Sequence, residues 1–271
     1  MSARDLLRGR PLVVLTGAGV STDSGIPDYR GAGAPVRTPM TISEFRSGPA
    51  ARQRYWARAF LGWSRMGTAE PNAAHRALAA LDPALLITQN VDGLHEAAGS
   101  RRLVALHGRI AEVVCLDCGD VTSRAGLQER LAALNPRFGD SLGPLTDRPD
   151  FDVELDDTTG FVVPACESCG GILKPHVVFF GENVPAPTVA RCFDAVDALV
   201  ENHGALLVAG SSLTVMSGFR FVRRAARAGV PVVIVNRGAT RADDLATYKL
   251  DVGVGPWLTE LAGVAGALTA P

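Results

Sequence analysis

Short aliphatic runs recur along the chain at 12–15, 84–88, 103–106, 177–180, 205–209 and 230–235. Runs of Val, Leu, Ile and Ala without polar alternation read as strands buried on both faces. Between most of them the apolar spacing becomes helical, at 71–81, 92–98, 187–202 and 217–228. Pro71-Asn72 opens one of these helices, and Gly229 with Pro231 closes another before the next strand. Strands alternating with helices predict an α/β fold, a parallel sheet with helices on both faces. Residues 111–173 interrupt the alternation and read as a small inserted module. The expected division is therefore 1–110 with 174–271, and 111–173 between them.

The chain's 271 residues suit one large domain, or one domain carrying such a module. Hydrophobic residues make up 47%, which supports a real core and excludes a disordered chain. The 27 basic and 28 acidic side chains give a net charge of −1, which disfavours direct nucleic-acid binding by bulk electrostatics. No apolar run is long enough to cross a bilayer, and Met1 leads almost at once into the run at 12–15. The expectation is a cytoplasmic protein with no membrane partner. Lys174 and Lys249 are the only lysines, and this bias toward Arg, with abundant Ala and Gly, is the pattern of a GC-rich bacterial genome.

Four of the five cysteines form two pairs, Cys115-Leu116-Asp117-Cys118 and Cys166-Glu167-Ser168-Cys169, each followed by Gly. A C-x2-C turn brings two thiolates to one side of a tight loop, and two such turns supply the tetrahedral set of a structural zinc ion. No ligand position is left open for chemistry. Disulfides fit poorly without an export signal, and a redox dithiol would account for one pair but not two. Cys192, in the amphipathic stretch 191–196, reads as a packed thiol. Residues 119–165 separate the pairs, too long a stretch for a minimal zinc ribbon. Its acidic half, from Asp140 to Asp157, reads as a solvated loop.

Directly after the first strand comes Thr16-Gly17-Ala18-Gly19-Val20-Ser21-Thr22-Asp23-Ser24-Gly25-Ile26-Pro27-Asp28-Tyr29-Arg30. Gly17 and Gly19 fill the first two positions of a dinucleotide fingerprint, where small residues let backbone approach a pyrophosphate at a helix N-terminus. Thr22 stands where a third glycine would be. No acidic residue ends a clear second strand about twenty residues on, so an ordinary dehydrogenase is disfavoured.

This loop is the first of several matches in one order. The others are Pro71-Asn72-Ala73-Ala74-His75, Thr88-Gln89-Asn90-Val91-Asp92-Gly93-Leu94-His95, Leu106-His107-Gly108, the cysteine pairs, Lys174-Pro175-His176-Val177-Val178-Phe179-Phe180-Gly181-Glu182, Gly210-Ser211-Ser212-Leu213 and Val235-Asn236-Arg237. Together, over about residues 11–255, they resemble the sirtuin family of NAD-dependent protein deacylases. The resemblance implies a Rossmann-like NAD-binding domain and one structural zinc ion. It also implies an acyl-lysine protein or peptide substrate, with release of nicotinamide and O-acyl-ADP-ribose.

Roles follow from the resemblance residue by residue. His107 would be the base for a ribose hydroxyl, since an unperturbed imidazole titrates near ~6.5. Gln89 would hold the nicotinamide ribose, Asn90 a water or the cofactor, and Asp92 the carboxamide; Asp92 also reads as a helix cap. Gly17, Ala18, Gly19, Ser24 and Gly25 would approach the cofactor, and Tyr29 and Arg30 lie on a loop that would close over it. Gly210, Ser211, Ser212, Asn236 and Arg237 stand after two further strands, and Val254 would reach adenine through its backbone. Val178, Phe179, Gly181 and Glu182 belong to a segment that would pair with an extended peptide; an ordinary core strand is the alternative. His75, His95, His176 and His203 read as surface or helix-packing histidines.

The spacing of the cysteine pairs and the run 174–180 look like class II sirtuins, which are associated with removal of bulkier acyl groups, lipoyl included. His176 stands where animal forms usually have Asp. Tyr55 and Arg58, one helical turn apart, match the Tyr-x-x-Arg pair that holds acidic acyl groups in other sirtuins, with an amphipathic packing helix as the preferred reading. Two rival functions remain: protein mono-ADP-ribosyl transfer at the same NAD site, and non-enzymatic NAD sensing. Intact His107, Asn90 and Asp92 weigh against the second.

Overall fold

The strands are β1 (Leu12–Thr16), β2 (Leu85–Thr88), β3 (Leu103–Ala105), β4 (Gly108–Cys115), β5 (Val121–Ser123), β6 (Leu173–Val177), β7 (Ala205–Ala209), β8 (Val232–Val235) and β9 (Tyr248–Leu250). They come from a computed structural model that describes residues 1–28, 39–66, 68–138, 155 and 157–268, without the side chains of 64–66 and 264–268. Six of them form one parallel sheet in the order β3-β2-β1-β7-β8-β9. In register, Leu15 faces Ile87 on one side and Val208 on the other. Every residue of β1, β2, β7 and β8 is buried, as continuous aliphatic runs require.

The helices are α1 (Ala3–Leu7), α2 (Ile42–Arg46), α3 (Pro49–Met66), α4 (Ala73–Leu81), α5 (Leu94–Ala97), α6 (Arg124–Leu134), α7 (Ala186–Glu201), α8 (Met216–Arg227) and α9 (Val254–Leu268). Side chains alternate across a strand, and this parity divides the core in two. Val13, Leu15, Leu206 and Val208 pack with Val196 and Leu199 of α7 and Phe221 of α8. Leu12, Val14, Leu86 and Leu207 pack on the other face with Leu78 of α4 and Trp257 and Leu258 of α9. Each such side chain contributes roughly 1.5–3 kcal/mol by burial. Among the described residues, no helix is long and apolar enough to cross a membrane.

The remaining strands form a small antiparallel sheet, β5-β4-β6. The chain enters the inserted segment along β4 and leaves along β6, with Cys115 opposite Leu173. The expected borders at 110/111 and 173/174 thus run through paired strands rather than between elements. Trp56 of α3 is fully buried against Val113, Leu127 and Leu173, and its Nε1 donates to the Leu173 carbonyl at 3.1 Å. Arg124 of α6, also buried, lies over the Trp56 and Trp63 rings and donates to the Ala59 carbonyl at 3.0 Å.

One expected strand is displaced. The run 177–180 does not join the parallel sheet: β6 ends at Val177, and Phe180 makes only an isolated bridge to Thr41. The cause is where its aromatic side chain packs. Phe179 meets Phe45 and Tyr55 edge-on or tilted, at 5.4 and 5.3 Å, so this segment belongs to an aromatic cluster under α2 and α3.

Candidate active site

The sheet order reverses direction between β1 and β7, and at such a point the carboxyl ends of adjacent strands part and leave a crevice. Here the crevice is a cleft of about 770 Å³. Two turns form its floor, one after β1 and one after β7. The Gly17 N–H donates to Ala209 O at 3.2 Å and the Gly19 N–H to Gly210 O at 2.9 Å. A Cβ at position 17 would lie 2.8 Å from Ser211 Cβ, and one at position 19 would lie 3.0 Å from the Gly210 backbone. These glycines are therefore demanded by the neighbouring turn. The chain then passes into two short 3-10 turns, Ala18–Val20 and Thr22–Ser24, in place of the helix that a dinucleotide fingerprint leads into.

The end of β2 delivers three polar side chains to the cleft. Gln89 Nε2 donates to Thr16 O at 3.0 Å and to Ser211 Oγ at 2.8 Å, tying the β1 end to the β7 turn. Asn90 Nδ2 donates to Gly17 O at 3.1 Å and to Ser21 Oγ at 3.0 Å. Asp92 accepts the Ser21 hydroxyl at 2.7 Å on one oxygen and the Leu94 N–H at 3.0 Å on the other. Burial raises the Asp92 carboxyl above the usual range.

Behind Asp92 lie two histidines that the sequence placed on surfaces or helix contacts. His75 and His95 are both buried, with rings 4.7 Å apart. The Asn72 N–H donates to His75 Nδ1, which leaves the proton on Nε2, 3.4 Å from Ser21 Oγ. His95 Nε2 meets Thr16 Oγ1 at 3.0 Å. Burial lowers these imidazoles to about 4 and about 3, so both are neutral. His176, by contrast, is exposed beside Glu112 at 2.8 Å, and His203 is exposed.

His107 follows β3. Its Nδ1 is 2.8 Å from the Gln89 carbonyl, which can only accept, so Nδ1 carries the proton. Nε2 is then the acceptor, and Ser217 Oγ donates to it at 2.7 Å. Burial lowers the imidazole below its ordinary value, against the Gln89 hydrogen bond, and Arg220 lowers it further. The result is a neutral ring with its lone pair at the cleft.

Val178, Phe179, Gly181 and Glu182 form the opposite wall, with Tyr55 and Arg58 beside them. Arg58 Nε and Nη2 donate to the Leu155 carbonyl at 3.1 and 2.9 Å. Ala18, Gly210, Ser211, Ser212, Asn236 and Arg237 also line the cleft. Ser24, Gly25 and Val254 do not. Ser24 Oγ accepts from Asn72 Nδ2 at 3.0 Å, Gly25 ends a 3-10 turn with φ 82°, and Val254 packs into the core at the start of α9. Tyr29 and Arg30 lie outside the described residues. Sequence reasoning missed Ser21, Ser217 and Arg220. Ser21 was visible within the glycine loop, whereas the pattern 217–228 marks only a helix.

The four paired cysteines converge, with all Sγ atoms within 4.8 Å of one another. Cys115 and Cys169 Sγ are 3.5 Å apart, and Cys118 and Cys166 Sγ 3.9 Å. Tetrahedral zinc with Zn–S bonds of ~2.3 Å needs sulfurs ~3.8 Å apart, so the set fits the ion. Each knuckle closes through the following glycine, Gly119 N–H to Cys115 O and Gly170 N–H to Cys166 O. Cys192 is fully buried and its thiol is pushed up to about 11 by that burial, an inert thiol.

The Sir2 family pattern matches residues 17–217, most of the chain and every element of the cleft floor. The chain belongs to the Sir2 family. It is thus a sirtuin-family enzyme. It is 54% identical over 264 residues to "NAD-dependent protein deacetylase 1" of Mycobacterium avium (strain 104), covering 95% of this chain and 92% of that protein. It is 51% identical to the protein of the same description from Streptomyces coelicolor (strain ATCC BAA-471 / A3(2) / M145), covering 95% and 87%. Among solved structures, this sirtuin superposes on "Sir2-p53 peptide-NAD+" with a TM-score of 0.76 at 32% identity, covering 97% of each chain. It superposes on "Sir2 bound to acetylated peptide" with a TM-score of 0.74 at 31% identity, covering 97% and 96%.

Proposed function

We propose that this sirtuin is an NAD-dependent protein-lysine deacylase, with deacetylation as its core activity and His107 as its general base. The activity named for its relatives and the peptide and NAD complexes of its structural neighbours support the coarse assignment. The observation that carries the finer reading is the neutral His107, its Nε2 directed at the cleft where the strand order reverses. A carbonyl holds its other nitrogen, so once the Ser217 hydroxyl turns away Nε2 accepts a proton from a substrate hydroxyl without rearrangement of the ring.

Bound in the cleft, NAD would supply a ribose carbon that gives up nicotinamide and a ribose that takes the acyl group from the lysine amine. Gly17, Ala18, Gly19, Gly210, Ser211 and Ser212 would hold its phosphates and riboses, Asn236 and Arg237 the adenosine end, and Gln89, Asn90 and Asp92 the nicotinamide end. Asp92, braced by Ser21 and the Leu94 N–H, presents its carboxyl from a fixed position. The wall of Val178, Phe179 and Gly181 would receive the peptide. The aromatic rings of Tyr55 and Phe179 favour apolar acyl groups, because two Arg58 donors are committed to the Leu155 carbonyl rather than to an acyl carboxylate.

Zinc would hold the two ends of the 111–173 module together through Cys115, Cys118, Cys166 and Cys169, with no chemical role. Four reduced thiolates suit the reducing cytoplasm. The decisive experiment is His107→Ala, assayed by mass spectrometry on an acyl-peptide panel. Loss of deacylated peptide and nicotinamide with NAD binding retained is expected. Unchanged turnover would sink the assignment, and ADP-ribose gained on protein would favour the transferase alternative.

A further inference from the structure

Lys174, one of two lysines in the chain, lies in β6 with its side chain only 4% exposed. A buried ammonium costs several kcal/mol unless it is paired and its donors are used. Lys174 Nζ meets Glu182 Oε2 at 2.9 Å and donates to the carbonyls of Pro175 and Val177. It also sits 4.5 Å over the Phe179 ring. The same Glu182 oxygen accepts the Phe179 N–H at 2.7 Å, and the Glu182 N–H returns to Phe179 O at 2.9 Å. The turn 179–182 is thus closed on itself and fastened to β6 by one cation.

This turn decides the shape of the cleft wall. After Val177 the chain leaves the small sheet, and two further bonds fix it: Val178 N–H to His107 O at 2.8 Å, and Ile42 N–H to Phe180 O at 3.0 Å. Phe180 is left 42% exposed. We propose that the Lys174–Glu182 ion pair positions segment 178–182 for the acyl-peptide substrate, with Glu182 serving through this pair rather than by touching the peptide. Lys174 is accordingly a positioning residue for peptide, and it has no part in holding NAD. The proposal rests on the deacylase reading, because it takes this wall as the peptide's seat.

A double-mutant cycle tests it. Lys174→Met, Glu182→Gln and the double variant are compared for affinity to a fluorescent acetyl-lysine peptide, for peptide KM against kcat, for NAD affinity and for Tm. Each single change is expected to raise peptide Kd and KM about tenfold, within the range of coupled buried pairs. The double variant should be no weaker than either single. NAD affinity should stay within about twofold, and Lys174→Arg, which keeps the cation, should retain most of the peptide affinity. Weakening by Glu182→Gln but not by Lys174→Met would overturn the proposal, since Glu182 would then contact peptide directly. Multiplicative losses would overturn it as well. If Lys174→Met does not fold, Glu182→Gln and Lys174→Arg decide: a large loss in the first with near wild-type affinity in the second supports the pair, and equal losses refute it. Wild-type protein that binds no acyl peptide defeats the deacylase reading itself, whereas wild-type binding with unaltered variants defeats the pair alone.

Discussion

Replacing Gly17 by Ala is the sharpest probe of how the cleft floor is built. The new Cβ would lie 2.8 Å from Ser211 Cβ, 2.9 Å from Ser211 Oγ and 2.9 Å from Gly210 O. Carbon atoms prefer about 3.5–4.0 Å, so the two turns must part by roughly 0.7 Å or more. They are tied by the bonds from Gly17 N–H and Gly19 N–H, and cannot part freely. Overpacking of this kind costs about 1–3 kcal/mol. At roughly 2–4 °C per kcal/mol for a chain of this size, Tm should fall by about 2–12 °C. The control is Ser211→Gly, which alone should cost about 1 kcal/mol by removing the acceptor for Gln89 Nε2 and the Leu213 N–H. In a cycle the pair 17/211 should be non-additive, because trimming Ser211 removes two of the three close contacts. The pair 19/211 should be additive, because the three atoms nearest a Cβ at 19 are all Gly210 backbone. Thermal unfolding of the two singles at 17 and 19, Ser211→Gly and both doubles reads this directly. Equal behaviour of the two cycles, or a Gly17→Ala protein within 1 °C of wild type, would refute the steric account.

Chelation of zinc, or Cys166→Ser, should unfold the β5-β4-β6 module first, read as new protease cleavage within 111–173; protection unchanged after complete metal removal would contradict a structural ion. Stability should fall on acidification from about pH 6.5 toward 4. His75 and His95 have folded values near 4 and 3, below the ordinary 6.5, so the unfolded chain takes up protons that the folded chain refuses. The loss is on the order of a few kcal/mol, and His95→Phe should flatten the slope of Tm against pH in this window. A slope unchanged by that substitution would remove His95 from the account. For catalysis, a lowered His107 keeps the base competent to a more acid pH than an ordinary histidine, so the acid limb of kcat/KM should lie below pH 6.5. An acid limb above that value would mean that the imidazole is not depressed.

The parallel sheet was legible because its strands are buried on both faces and so carry unbroken aliphatic runs. β9, Tyr248–Leu250, was not: it is a half-buried edge strand of three residues that mixes Tyr, Lys and Leu, and no period emerges from so short a segment. Segment 177–180 failed for the opposite reason. Its apolar run is real, but Phe179 packs on aromatic side chains from α2 and α3, and a local pattern does not say against what a side chain packs. The zinc set was legible entirely from spacing, since two C-x2-C turns are local chemistry that convergence in space completes.

The base shows where such reading stops. His107 could be singled out only by its neighbours in the chain and the resemblance they carry, because an isolated imidazole after a strand has no distinguishing mark. What equips it as a base is wholly non-local. Gln89, eighteen residues before it, fixes the tautomer, and Ser217, more than a hundred residues after it, meets the lone pair. Arg220, one turn further along α8, opposes the charged form. Asp92 follows the same rule, with one oxygen set by its own turn and the other by Ser21 from the glycine loop. The sheet brings the ends of β1, β2 and β7 side by side, and each chemically defined side chain is finished by a partner from a different strand end. A perturbation at any of these ends should therefore register at the base, which is why Gly17, which has no side chain to take part in the chemistry, is the place to begin testing the cleft.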